Sequence, residues 1–292
     1  MDKIFIAGGT GFIGRHLVSA LREDKYDVRC LVRTPEKAEL CKAQGFESVI
    51  GELTDRESLK GALDGCSMVI HLIGIIEEKG TQTFKAVHVE GTRNLLDVAK
   101  KQGIKHFFYQ SALGADLDSW AGYLRTKAQA EELIKGSGIP FTIFRPSIVV
   151  GENDGFTKKI KDMIASLSPL IAVPGKGKAR FQPIYVKDWV RCFFKIIDNP
   201  DAIGKTYSFG GTEQLTYKEI VQAVASAMGS QKPIVHIPSL FVKLTAPVLG
   251  IVTVEQIRLL DVDNICDPES VKKNFGFEPM TFKDALRLFI SL

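Results

Sequence analysis

The sequence predicts an α/β fold: a doubly wound parallel sheet with helices on both faces and a smaller lobe at the C-terminal end. Three observations carry this expectation. Strand-length apolar runs alternate with segments of helical period, a glycine cluster separates the first run from the first helix, and 292 residues with 45% hydrophobic content suffice for a large core with an appended lobe. Lys3–Ala7 is a short apolar strand, and residues 12–22 repeat apolar side chains at helical spacing. Val28–Val32 reads as a strand, Pro35–Ala43 as a helix opened by proline, 48–50 as a strand and 56–63 as a helix. Residues 68–73 form a strong strand, 84–100 a long helix, 106–109 a strand and 123–135 a helix, and 141–144 the strand before Arg145-Pro146. Strands separated by helices need crossover connections, which produce a parallel sheet that binds ligands beyond the carboxyl ends of its strands. After about residue 150 the alternation loosens, leaving short strands at 184–186 and 207–209. The expected division is a dinucleotide-binding domain over 1–155, its sheet completed by parts of 181–211, and a smaller substrate or interaction lobe over 156–292.

Composition narrows the function classes. Lys and Arg number 38 against 34 Asp and Glu, and a net charge of +4 is too weak and too scattered to mark a nucleic-acid binder. Cys30, Cys41, Cys66, Cys192 and Cys266 are far apart without a CxxC pair, so neither a disulfide framework nor a metal site is expected. The N-terminus lacks the features of a secretory signal, which makes cytoplasmic residence the default expectation. Residues 234–254 are almost wholly apolar, interrupted by His236, Pro238, Lys243 and Pro247. Two prolines and a lysine argue against a spanning helix. The expectation is a buried or half-exposed lobe helix, with peripheral membrane contact as the alternative.

Gly8-Gly-Thr-Gly-Phe-Ile-Gly14 puts Gly8, Gly11 and Gly14 between the first strand and the first helix, the place a Rossmann-type domain uses for a pyrophosphate. One glycine makes the turn, one lets backbone amides approach the anion, and one lets helix pack on strand. At the end of the second strand, where NAD enzymes place an acidic residue on the ribose 2′-OH, this chain has Arg33. A guanidinium cannot accept that hydrogen bond but can grip a 2′-phosphate, so NADP(H) is the preferred cofactor and NAD(H) the second choice. Lys37 and Arg15 lie where they add positive charge.

Tyr123 and Lys127 stand at i and i+4 on one face of a predicted helix. A lysine near a phenol favours phenolate and lowers its pKa, which suits proton transfer to a carbonyl under reduction. Ser111, after the fifth strand, is the candidate third member, placed to hydrogen-bond the same oxygen. His71 is expected to be a satisfied core imidazole, residues 181–185 to be core rather than cleft, and Lys176 and Lys178 to lie on a solvated loop.

These motifs, with His71-Leu-Ile-Gly74, Gly91-Thr-Arg-Asn94 and Arg145-Pro-Ser147, resemble the short-chain dehydrogenase/reductase superfamily in its extended epimerase/dehydratase branch. The runs SALGAD, YLRTKAQAEE, FRPSIVVG and FQPIYVKD are similar to the atypical group that includes the accessory NADPH-binding subunit of respiratory complex I and its bacterial relatives. The resemblance covers about residues 3–211. It implies that Gly8, Thr10, Gly11, Phe12, Ile13 and Gly14 hold the pyrophosphate and that Arg33 takes the 2′-phosphate. It further implies that Glu52 and Leu53 flank the adenine, that Leu72, Ile73 and Gly74 meet the adenosine ribose, and that Tyr123, Lys127 and the backbone of Pro146, Ser147 and Ile148 meet the nicotinamide half.

Departures from the family pattern bear on catalysis. His88 stands where active members carry Asn, the reactive Ser or Thr of extended members falls nearer Ala112 than Ser111, and the stretch from Ser111 to Tyr123 is short. The resemblance implies an oxidoreductase that passes hydride from NADPH to a carbonyl or quinone-like small molecule. One alternative is a nucleotide-sugar epimerase or dehydratase. Another is a non-catalytic NADP(H)-binding protein with a structural, assembly or redox-sensing role beside a membrane or a membrane complex. His88 and the apolar stretch favour that last reading, and the Tyr123–Lys127 pair favours the enzyme.

Overall fold

The computed structural model describes residues 3–175, 177–238 and 253–290. The first half follows the predicted alternation: β1 (Lys3–Ala7), α1 (Phe12–Glu23), β2 (Val28–Val32), α2 (Pro35–Ala43), β3 (Glu47–Ile50), β4 (Cys66–His71), α3 (Gly91–Lys101), β5 (His106–Gln110), α4 (Gly122–Lys135) and β6 (Phe141–Pro146). These strands and Lys205–Phe209 form a seven-stranded sheet in the order Lys205–Phe209, β6, β5, β4, β1, β2, β3. Every pairing from β3 through to β6 is parallel, so their carboxyl ends share one edge. All five residues of β5 are buried, as a central parallel strand covered on both faces requires.

Local chemistry accounts for the element ends. Pro35 occupies the first turn of α2, and the Thr34 side chain accepts from the Lys37 N–H at 3.4 Å. The helix expected over 56–63 shrinks to a 3₁₀ turn at Glu57–Leu59, because Gly61 adopts a left-handed conformation with φ +72°. The long helix expected from residue 84 opens with a π-helical segment, Lys85–Glu90, before α3. Such wide turns shift the side chains they carry relative to a regular helix.

The chain divides into two compact units, Met1–Arg145 with Phe193–Tyr207, and Pro146–Cys192 with Ser208–Leu292. The boundary therefore falls at Pro146 rather than after residue 155. The first unit packs Phe5, Val69, Phe107 and Tyr109 of the sheet against Leu95, Ala99, Ala130 and Ile134 of α3 and α4. The second has its own core around Ile160, Ile171, Phe181, Tyr217, Ile220 and Leu286. Phe181 is thus core, as expected, and Tyr185 is buried and stacks on Phe289. Lys178 is exposed, and Lys176 lies outside the described residues.

The apolar stretch departs from its expectation. It begins with a strand, Ile234–Ile237, paired in parallel with Ile171–Pro174. Branched side chains between Pro233 and Pro238 favour an extended segment over a helix. Residues 239–252 of that stretch lie outside the described residues. Among the described residues no helix is long and apolar enough to cross a membrane.

Candidate active site

The site begins where β1 ends. Gly8 takes φ +97°, and its carbonyl accepts from the Gly11 N–H at 3.0 Å. A Cβ on Gly14 would lie 2.1 Å from that carbonyl oxygen and 2.7 Å from Gly9 Cα, so only glycine lets α1 come this close to the turn. A Cβ on Gly8 would meet the backbone of Leu72 and Ile73 at 3.1–3.2 Å. The glycine loop and the loop after β4 are therefore in contact. Gly11 is the N-cap of α1, no side chain caps this end, and its first turn carries no acidic residue. The amides of Phe12, Ile13 and Gly14 stand at the positive end of the helix, and Thr10 and Gly11 are exposed. A close, uncapped backbone cradle that any side chain would fill fits a pyrophosphate.

The residues expected on the adenosine side are placed as follows. Arg33 is the first residue after β2 and is exposed; Lys37, in the first turn of α2, is half-buried. The Glu52 N–H donates to Ser58 Oγ at 2.9 Å, and the Leu53 carbonyl accepts from Asn94 Nδ2 at 3.1 Å. The Leu53 side chain is buried in the core, where a Cβ on Gly91 would touch it at 2.8 Å. Its side chain is thus unavailable to an adenine. The Leu72 N–H donates to the Ala7 carbonyl at 2.8 Å, which carries the β1–β4 pairing one residue into the loop.

Tyr123 and Lys127 come from the first turns of α4. Lys127 is buried; its Nζ donates to the Gln110 carbonyl at 2.9 Å and lies 4.8 Å from the Tyr109 ring centre. Burial pulls its pKa down to about 7, with Glu131 opposing the shift. A Cβ on Gly74 would lie 2.9 Å from Nζ and 3.5 Å from His88 Nε2, so the bare backbone at Gly74 brings the loop after β4 onto the lysine. Tyr123 is half-buried, with the Phe84 and His88 rings at 6.1 and 5.7 Å. Burial pushes its phenol up to about 12, the reverse of the lowering expected from Lys127. The ammonium is aimed at the Gln110 carbonyl and the Tyr109 ring, and the cost of burying a phenolate dominates.

Ser111 also departs from its expected role. Its hydroxyl donates to Glu131 Oε1 at 2.5 Å, and Arg145 grips Glu131 through Nε and Nη2 at 2.7 and 2.6 Å. In this structure the single hydroxyl proton goes to the buried Glu131 carboxylate, and Ser111 packs in a cluster with Glu131 and Arg145. Pro146, Ser147 and Ile148 belong to the second unit. There Ser147 Oγ lies 2.7 Å from Asn264 Oδ1 and accepts from the Gln182 N–H at 3.2 Å, and the Ile148 carbonyl accepts from Ile184.

Sequence reasoning did not anticipate a ladder of neutral polar groups. The Thr92 hydroxyl donates to the His88 carbonyl, so His71 Nε2 must be the donor in its 3.0 Å contact with Thr92 Oγ1. The Ile75 N–H donates to His88 Nε2 at 3.1 Å, which leaves Nδ1 as the protonated nitrogen, donating to Thr126 Oγ1 at 2.9 Å. The Thr126 hydroxyl passes on to the Gly122 carbonyl at 2.7 Å. His71 is thus buried and bonded, as expected, although its Nδ1 has no partner among the described residues. Among these residues no cluster of His, Cys, Asp and Glu could hold a metal ion.

A model of the NmrA-like family matches residues 1–264. The chain belongs to the NmrA-like family. Curated proteins similar to this chain include a 4-hydroxy-2-methyl-3-oxo-4-farnesyl-3,4-dihydroquinoline-1-oxide ketoreductase from Stigmatella aurantiaca, 31% identical over 56% of this chain and 55% of its own length. The match therefore spans about half of that enzyme. Another is the mitochondrial NADH dehydrogenase (ubiquinone) 1 alpha subcomplex subunit 9 of Arabidopsis thaliana, 27% identical over 91% of this chain and 71% of the relative. In fold, this NmrA-like chain matches a short-chain dehydrogenase/reductase superfamily protein of Agrobacterium tumefaciens with bound NAD: TM-score 0.76, 22% identity, 98% of this chain and 95% of the other.

Burial fixes the sign of an acid response. It pulls His71 down to about 3 and His88 to about 2, so between pH 6.5 and those values the unfolded chain binds protons that the folded chain refuses. Their contribution is present above pH 6.5 and is lost as pH falls, by about 1.4 kcal/mol per pH unit for each histidine fully charged only when unfolded. Urea unfolding of the wild type and of His88→Gln between pH 7 and 4 checks this: the wild type loses stability faster, and parallel slopes would show that His88 is not held neutral.

Proposed function

We propose that the chain binds NADP(H) across the glycine loop and reduces a small carbonyl or quinone-like acceptor, with Tyr123 as the proton donor. The observation that carries this reading is the contact between Gly74 and Lys127: the loop beside the pyrophosphate cradle touches the buried amine on the helix that carries Tyr123. When bound, NADPH supplies the hydride. The amides of Phe12, Ile13 and Gly14 would hold the diphosphate, and Arg33 the 2′-phosphate by charge-assisted hydrogen bonds. Gly74 keeps the ribose-side backbone against Lys127. Tyr123, protonated at neutral pH, donates its proton to the oxygen that gains charge, and Lys127 lies one helical turn away to balance the phenolate left behind. The ketoreductase relative supports this reading through its own named reaction.

A second reading is that of an NADP(H)-binding subunit without turnover, in a larger assembly. It is favoured by the phenol held near 12 and by the likeness to the complex I subunit over 91% of the chain. The sugar-nucleotide epimerase reading has fold likeness alone behind it.

Two measurements decide between them. Calorimetric titration of Arg33→Asp should show NADPH binding weakened by roughly 1.5–3 kcal/mol with NADH little changed, as loss of a charged hydrogen bond requires; equal loss for both nucleotides removes Arg33 from the site. Tyr123→Phe should lower turnover of carbonyl and quinone acceptors by on the order of 100-fold or more while leaving NADPH affinity intact. Undiminished turnover in the variant would exclude Tyr123 as the acid. A wild type that binds NADPH and turns over no acceptor would establish the binding-subunit reading.

A further inference from the structure

His88 stands where three structural pieces meet. It lies on the π-helical turn Lys85–Glu90, its Nε2 accepts the N–H of Ile75 in the nucleotide-side loop, and its Nδ1–H reaches Thr126 on α4, between Tyr123 and Lys127. The ring is fully buried, stacked at 5.7 Å on Phe84 and edge-on at 5.7 Å to Tyr123. Its carbonyl is held as well, by the Thr92 hydroxyl. Both nitrogens and the carbonyl are therefore committed, and a backbone N–H aimed at Nε2 excludes a proton there.

We propose that His88 is a positioning residue that joins the nucleotide-side loop to the reactive helix, one ring nitrogen setting cofactor affinity and the other setting the placement of Tyr123. The Ile75 bond fixes the loop that carries Gly74 onto Lys127 and packs Leu72 and Ile73 on Gly8. The Thr126 bond fixes the first turn of α4, because Thr126 passes its own hydroxyl proton to Gly122, next to Tyr123. The ring carries no proton between groups. It acts as a rigid spacer of fixed tautomer, with a span set by the imidazole and a depth set by the wide turn that bears it. The titratable groups facing it are Tyr123 and Lys127 from α4 and His71 from β4, and a charge on the ring would repel the ammonium.

The inference rests on the proposed reductase reading for its turnover arm, but its binding and spectroscopic arms stand without it. Two amides separate the two bonds. In His88→Gln the Oε1 atom can replace Nε2 as the acceptor for Ile75, and the donor to Thr126 is lost. In His88→Asn the Nδ2 atom can replace Nδ1 as the donor to Thr126, and the acceptor for Ile75 is lost. The expected result is a split. His88→Asn weakens NADPH binding, measured by calorimetry, by roughly threefold to tenfold, the worth of one hydrogen bond, and His88→Gln binds NADPH like the wild type but turns over roughly tenfold more slowly. Thr126→Val, which leaves the imidazole and the Ile75 bond in place, should behave like His88→Gln and serves if either amide variant fails to fold.

Labelled-histidine ¹⁵N spectra of the wild type should show the neutral ring with the proton on Nδ1 at both pH 7 and pH 5. Equal effects of the two amide variants on affinity and turnover, a ring protonated on Nε2, or a step in the wild-type pH–rate profile that disappears in His88→Gln would each overturn the proposal. Tyr123→Phe run in parallel tells the two failures apart: if that variant keeps full turnover the reductase reading falls, and if it loses turnover while the amide variants show no split, only the spacer role falls.

Discussion

The arrangement depends on how closely the first helix approaches the first strand. With a side chain at Gly14, α1 could not rest on the Gly8 carbonyl, and the amides of its first turn would not face the edge of the sheet. From that contact the rest follows in sequence. Gly8, bare and in the left-handed region, lets the backbone of Leu72 and Ile73 lie across it, the same loop continues to Gly74 against Lys127, and Ile75 is tied to His88. At Gly14, Gly8 and Gly74 the approach is close enough that an added Cβ would crowd or overlap its neighbour. The parallel sheet sets the positions of these loops because β1, β4 and β5 end at the same edge.

Behind this edge the protein keeps three basic groups in one buried cluster and holds two of them uncharged. His71 and His88 lie well below the usual histidine range, and Lys127 falls to about 7. Burial is the main cause for each, and each ring nitrogen or amine that points at protein points at a neutral partner: a threonine hydroxyl, a backbone N–H or a carbonyl. Glu131, a buried carboxylate nearby, is already matched by Arg145 and Ser111. A site built this way makes charge costly in its resting form, so a ligand that brings phosphate or developing negative charge changes the balance at Lys127 more than a neutral one does.

Much of the first unit was legible in the sequence because its signals are local. The β1–turn–α1 junction rests on glycine spacing, α2 on Pro35, and β4 and β5 on apolar runs. The second unit was less legible: its strands are as short as two residues, at Val149–Val150, Arg180–Phe181 and Ile184–Tyr185, and Phe193–Tyr207 returns to the first unit. Runs so short carry no period, and a return is a tertiary fact. For the candidate site, the glycines, Arg33, Tyr123 and Lys127 were singled out from spacing alone. Where the Ser111 hydroxyl and the Leu53 side chain point was not legible, because the side-chain direction at a strand end depends on what packs there, here Glu131 and Gly91. His88 was visible as an unusual residue, but its partners, Ile75 and Thr126, are 13 and 38 positions away and nothing in the sequence joins them.

The central claim is that a dinucleotide lies on the amides of the α1 N-terminus. Amide NMR spectra recorded while NADPH is titrated into the folded protein test it directly. The largest shifts are expected at Gly11, Phe12, Ile13 and Gly14, with a second set at Leu72, Ile73 and Gly74. Saturable binding that leaves those amides unmoved, or no binding at all to a folded sample, would contradict the account.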